Sequence, residues 1–185
     1  MKLILASNSP RRYDLLKNAG YNFTVIPSTS EEKADKSLPP DKYTEILAYD
    51  KAYSVYANNL DAVVIGADTV VYYNGEYLGK AENEVVAKNT LKKLSNNTHL
   101  VTTGYAIISE NKTITGSVTT TVTFNNLSNE DIDNYVKSNL WVGKAGAYGI
   151  QDGFFLVKNI NGDYDNVVGL PISVIDKILK ENYEK

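Results

Sequence analysis

The chain has 185 residues, 43% of them hydrophobic and 22% charged, which suits one globular domain able to bury a core. It has no cysteine, so disulfides, thiolate metal sites and cysteine nucleophiles are excluded. A formal net charge of -3 argues against broad nucleic-acid binding, so any anionic ligand must be met by a local cluster of cations.

The first residues, Met1 to Ala6, are too short for a signal sequence and are interrupted at once by Asn8 and Arg11. No apolar run approaches the roughly 20 residues of a membrane span, so the expectation is a cytoplasmic protein. Leu3–Ala6 reads as a short buried strand. Ser9 and Pro10 then open a helix, with serine as N-cap and proline at the first helical position. That helix runs through Leu15 and Leu16 and stops at Gly20. Tyr21–Ile26 alternates as a strand, and 28–40 is a loop carrying Glu31 and Glu32.

Asp41 is placed to cap a long helix reaching Ala57. Ala62–Ile65 is a buried strand ending at Gly66-Ala67-Asp68-Thr69, and Val70–Tyr73 continues extended to an Asn74-Gly75 hairpin turn. A helix over Glu84–Leu94 precedes two long strands, His99–Ser109 and Thr113–Phe124. Ser128 caps a helix to Ser138. A glycine-rich loop, Gly143–Gly153, leads into a strand over Phe154–Ile160. Asn161-Gly162 turns the chain into Tyr164–Val168, and Pro171 opens a last helix to Asn182. Strands and helices alternate early and hairpins dominate later, which predicts a mixed sheet flanked by helices.

Four places carry residues suited to phosphate chemistry. Arg11 and Arg12 follow Ser7 into a helix start, the end of a helix where cations are unfavourable by about 0.3–1 kcal/mol each. A bound anion would account for them, and so would two solvated side chains. Asp68 follows a buried strand, where open α/β sheets place ligands, and could hold a hard cation or orient water; a turn aspartate is the plainer alternative. Glu31 and Glu32 are ordinary solvated acids unless they join Asp68 on a metal. Lys51 and Lys80, taken singly, read as surface lysines.

Other motifs fall short. Gly75–Ala81 is one residue short of a phosphate-binding P-loop and lacks the hydroxyl residue after Lys80. Gly143, Gly146 and Gly149 make no dinucleotide fingerprint, although they give a loop able to bring Lys144 and Gln151 to a ligand. His99, the one histidine, has no serine elbow to serve and is expected to be structural. Trp141 reads as a packing residue.

Taken in order, these segments resemble the Maf family of nucleotide pyrophosphatases. The resemblance spans Leu5–Arg12, Glu31-Glu32, Lys51-Ala52, Gly66–Val71, Leu78–Lys80, His99–Gly104, Lys144–Gln151, Gly162–Tyr164 and Asn166–Pro171. It implies the inosine-triphosphatase-like α/β fold, a long mixed β-sheet flanked by helices with two lobes around a central cleft. It also implies hydrolysis of nucleoside triphosphates to monophosphate and pyrophosphate with Mg²⁺ or Mn²⁺, and a homodimer. The form of the segment Lys144–Gln151 is similar to the branch acting on dTTP and UTP, in which residues matching Arg11, Thr69 and Gln151 are associated with base choice.

The resemblance assigns catalysis to Asp68, Glu32, Lys51 and Lys80, and metal binding to Glu32 and Asp68. Substrate contacts fall to Ser7, Arg11, Arg12, Thr69, Lys144 and Gln151. Ala81 departs from the family, which usually has proline there; its loss is expected to loosen the Lys80 loop. A nucleotide-binding regulator of cell division that does not hydrolyse its ligand is the alternative function, with a nucleotidyltransferase as a third.

Overall fold

The computed structural model describes residues 2–31 and 33–183. Among these residues, seven strands and six helices follow one another as β1 (Leu3–Leu5), α1 (Pro10–Asn18), β2 (Thr24–Val25), α2 (Pro40–Tyr56), β3 (Val63–Tyr73), β4 (Glu76–Leu78), α3 (Glu84–Leu94), β5 (Thr98–Ser109), β6 (Lys112–Phe124), α4 (Asn129–Lys137), β7 (Val157–Asn161), α5 (Tyr164–Val168) and α6 (Ile172–Asn182). They form one mixed sheet, in the order β2-β1-β3-β5-β6-β7, flanked by helices as the sequence pattern predicts. β1 is parallel to both β2 and β3, and the remaining pairings are antiparallel.

β3 decides where the site lies. The sequence suggests a strand ending near Gly66, yet a single strand runs on to Tyr73, because β5 supports it from Val64 to Tyr72. Its other edge is covered only at the two ends. β1 pairs Val63–Ile65, and β4, returned by the Asn74-Gly75 turn with positive φ at both residues, pairs Val71–Tyr73. Among the described residues, no strand pairs with the stretch 66–70 on that edge, so Asp68 and Thr69 border an opening.

Successive strand residues point to opposite faces. Val64 joins Ile4, Ala48, Ala52 and Val55 in a core beneath α2, whereas Val63, Ile65 and Ala67 pack with Leu16, Ile175 and Leu179 from α1 and α6. α2 rests very close to the sheet. A Cβ added to Gly66 would lie 2.4 Å from the Ala48 carbonyl oxygen, and one added to Gly104 would lie 2.2 Å from the Thr44 carbonyl carbon. Glycine inside a strand is here the consequence of close backbone approach. A third core gathers Val71, Leu78, Leu91, Phe124, Tyr135, Trp141 and Tyr148 around α3, α4 and the glycine-rich loop.

Several local expectations shift. β2 covers only two residues of the expected 21–26 strand, and β7 starts at Val157, three residues late, after a turn through 154–156. Asp41 lies in the first turn of α2 instead of capping it; Pro39 is the N-cap and Pro40 opens the helix, since proline needs no N–H partner there. Tyr164–Val168 forms a short helix whose first N–H groups are accepted by the Asp163 carboxylate. Among the described residues, no helix is long and apolar enough to cross a membrane.

Candidate active site: a cationic cleft beside Asp68

A cleft of about 810 Å³ opens at the uncovered edge of β3. Ser7, Arg11, Arg12, Lys51, Asp68, Thr69, Lys80, Lys144 and Gln151 all line it. These residues come from the start of α1, the middle of α2, β3, the segment after β4 and the glycine-rich loop, so the fold brings together segments far apart in the chain. Glu32, the second expected carboxylate, lies outside the described residues. Glu31 faces solvent, ion-paired with Lys33 at 2.6 Å.

On the α2 face, Lys51 Nζ donates to Asp68 Oδ1 at 2.5 Å, with side chains only 17% and 10% exposed. The close seating of α2 on Gly66 makes this contact, because Ala52, next to Lys51, is one of the residues that Gly66 admits. On the opposite face, hydrogen bonds hold Arg12. Its Nε donates to the Gly169 carbonyl (2.8 Å), Nη1 to Ser7 Oγ (3.3 Å) and Nη2 to Thr69 Oγ1 (3.0 Å). Thr69 Oγ1 also meets Thr103 Oγ1 at 2.9 Å, and Thr103 Oγ1 donates to the Asn166 carbonyl at 2.9 Å. Asn166, fully buried, accepts from Thr103 N and donates to the Val101 carbonyl and Thr120 Oγ1. The Arg12 guanidinium is thereby tied to the sheet and to the turn before α6 before any ligand arrives.

At the start of α1, Ser9 Oγ accepts the N–H of Arg12 at 3.4 Å, and Pro10 takes the first helical position as expected. The first turn holds no acidic residue, so nothing within it offsets the two arginines. Lys80 is anchored differently. Its backbone bridges Ala145, and Gly146 N–H donates to the Leu78 carbonyl at 2.9 Å. Hydrogen bonds to the glycine-rich loop therefore hold the Lys80 segment where proline would have restricted φ, and Ala81 packs against the neighbouring core.

The glycine-rich loop brings Lys144 and Gln151 to the cleft, and behind them it holds a carboxylate that sequence reading passed over. Asp152 binds Lys144 Nζ through both oxygens, at 2.7 and 2.8 Å, and accepts from Tyr135 OH at 2.6 Å. Burial lowers the Arg11 pKa, and the negative charge of Asp152 opposes that shift. His99 has the structural place expected of it. It is buried, its Nε2 is 2.7 Å from Tyr148 OH, and burial lowers its pKa to about 4. Trp141 is likewise buried, donating to the Val136 carbonyl at 3.0 Å.

The family model described as "Maf-like protein" matches residues 2–182, nearly the whole chain. The chain belongs to the Maf family. Among its Maf relatives, a protein of Bacillus cereus (strain AH820) named "dTTP/UTP pyrophosphatase" is 49% identical over 181 residues, covering 97% of this chain and 95% of the relative. Proteins of the same name from Bacillus thuringiensis subsp. konkukian (strain 97-27) and Bacillus anthracis (strain CDC 684 / NRRL 3495) are 49% and 48% identical, each with the same coverage.

Proposed function

We propose that this Maf protein hydrolyses nucleoside triphosphates, dTTP and UTP foremost, to the nucleoside monophosphate and pyrophosphate, with residues 1–185 acting as a single domain. The observation that carries this reading is the placement of one carboxylate, Asp68, among cations from three separate segments, Arg12, Lys51 and Lys80, around one cleft. A triphosphate brings about four negative charges, which such a cluster is suited to balance. A carboxylate in the same place would repel the ligand unless it handled water or a cation.

Asp68 orients a water molecule towards the α-phosphorus and takes up its proton. An O–P bond forms at the α-phosphorus, the bond to the bridging oxygen breaks, and its electron pair leaves with pyrophosphate. Lys51 holds the Asp68 carboxylate in place. Arg12 and Lys80 meet the charge that grows on the leaving group, Arg12 with its fork fixed by Thr69 and Gly169. Gln151, exposed at the cleft wall, offers both a donor and an acceptor to the O4 and N3–H edge of uracil or thymine.

A divalent cation, Mg²⁺ or Mn²⁺, suits these donors. Among the described residues no three acidic or histidine side chains gather into a cage, yet Mg²⁺ is commonly held by one or two carboxylates plus substrate phosphates. Asp68 would hold it, with Glu32 as the second carboxylate. Bound there, the ion would neutralise phosphate charge and make coordinated water more acidic. The homodimer that the resemblance implies belongs to the same proposal and is read by light scattering.

The test is a panel of nucleoside triphosphates incubated with the protein and Mg²⁺ or Mn²⁺, with products separated by ion-exchange chromatography. The expected products are dTMP or UMP with pyrophosphate. Binding without cleavage, or release of a nucleoside diphosphate and phosphate, overturns the assignment.

A further inference from the structure

The cations that line the cleft differ in how their charge is balanced. Among the described residues, Lys36 and Lys80 line it without an ion pair, whereas Lys144 is saturated by Asp152. A carboxylate beside a polyphosphate is repulsive, so the surroundings of Asp152 suit the uncharged base, and the side chains of Lys36 and Lys80 suit the phosphates.

Asp152 lies behind the lining, its side chain 6% exposed, while its neighbours Ile150 and Gln151 line the cleft. Three groups fix it. Lys144 Nζ binds both of its oxygens, Tyr135 OH donates to Oδ2, and Asp152 N–H donates to the Gly149 carbonyl at 3.2 Å. Tyr135, fully buried on α4, accepts the Gly149 N–H at 3.0 Å in return. Burial, and the bond to Asp152, raise the Tyr135 pKa, so its hydroxyl stays a donor. The backbone lies flush on this arrangement, since a Cβ at Gly149 would come within 2.6 Å of both Asp152 Oδ2 and Lys144 Nζ. A shift of the turn from Gly149 to Gly153 would disturb the contacts of Asp152 and Tyr135.

We propose that Asp152 is a positioning residue for base recognition, fixing through Lys144, Tyr135 and the Gly149–Gly153 turn the height at which Gln151 meets the base. The proposal rests on a nucleotide being the ligand of this cleft and adds a carboxylate that never touches it. The charge of Asp152 also favours the charged form of Arg11, another residue that lines the cleft.

The test uses the full chain and the variants Asp152→Asn, Asp152→Glu and Tyr135→Phe. Affinities for dTMP, which carries the base, and for inorganic tripolyphosphate, which carries none, are measured by calorimetry, and KM for dTTP and GTP by product release. Asp152→Asn should weaken dTMP and raise the dTTP KM roughly tenfold, the effect of losing a charged hydrogen-bonded contact, and narrow the preference for dTTP over GTP. Tripolyphosphate affinity should stay within about twofold, Tyr135→Phe should move dTMP about threefold, and Asp152→Glu should recover part of the loss. Parallel loss of dTMP and tripolyphosphate, or no change in either variant, overturns the proposal. Should circular dichroism show Asp152→Asn unfolded, Tyr135→Phe decides, and unchanged dTMP affinity there overturns it. A wild-type chain that binds dTMP but releases no pyrophosphate contradicts hydrolysis alone; the variant-to-wild-type ratio for dTMP still decides on Asp152.

Discussion

Lys51 and Asp68 meet at 2.5 Å because α2 lies against β3 at Gly66, where no side chain larger than hydrogen fits. The pair is thus made by backbone packing, and both of its charges are largely withdrawn from solvent.

Replacing Lys51 with methionine should leave Asp68 as a buried carboxylate without this partner. Breaking a buried ion pair from one side costs about 3–5 kcal/mol, so urea denaturation should show a loss of that order. A loss below about 0.5 kcal/mol, the size of an ordinary surface substitution, would show that the pair carries no structural weight.

Asp68→Asn keeps the shape and removes the charge and the proton acceptor. Turnover of dTTP should fall by at least about 10²-fold while the fold survives. Turnover near that of the wild type removes Asp68 from the mechanism.

Gly66→Ala and Gly104→Ala should each destabilise by about 3 kcal/mol or more, since the added methyl meets the backbone of α2 and cannot be relieved by a side-chain rotation. Gly79→Ala is the control. A methyl group there would find nothing within 4 Å, and the φ of Gly79 is not positive, so thermal unfolding should shift little.

His99 gives the fold a pH dependence. Burial lowers its pKa from 6.5 to about 4, so between these values the unfolded chain binds a proton that the folded chain does not. Stability should therefore fall as pH drops from 6.5 towards 4, by on the order of 3 kcal/mol in total, with no contribution from this group above that window. Urea titrations across the window should show the slope in the wild type and a flatter curve in His99→Gln. Equal slopes would contradict the assignment.

Much of the fold was legible because its signals are local. Ser9-Pro10, Ser128 and Asn74-Gly75 mark boundaries through caps and turns, and the structure places them as read. The continuity of β3 through Gly66 was not legible, because pairing with β5 decides it and the sequence shows only a glycine that usually ends a strand. Gly66 and Gly104 did carry a sign, since glycine within a strand marks close approach, but its partner in α2 emerges only in three dimensions. Arg12 and Asp68 stood out through their own segments, whereas Lys51 and Lys80, which taken singly look like surface lysines, stood out only through the family resemblance. Asp152 did not, because beside Gln151 in a loop without periodicity it looks like any turn aspartate.

Hydrolysis in water enriched in ¹⁸O tests the central claim most directly. With dTTP as substrate, attack at the α-phosphorus beside Asp68 places the heavy oxygen in dTMP and leaves pyrophosphate unlabelled. Label in the pyrophosphate, or in inorganic phosphate released with dTDP, would contradict the account.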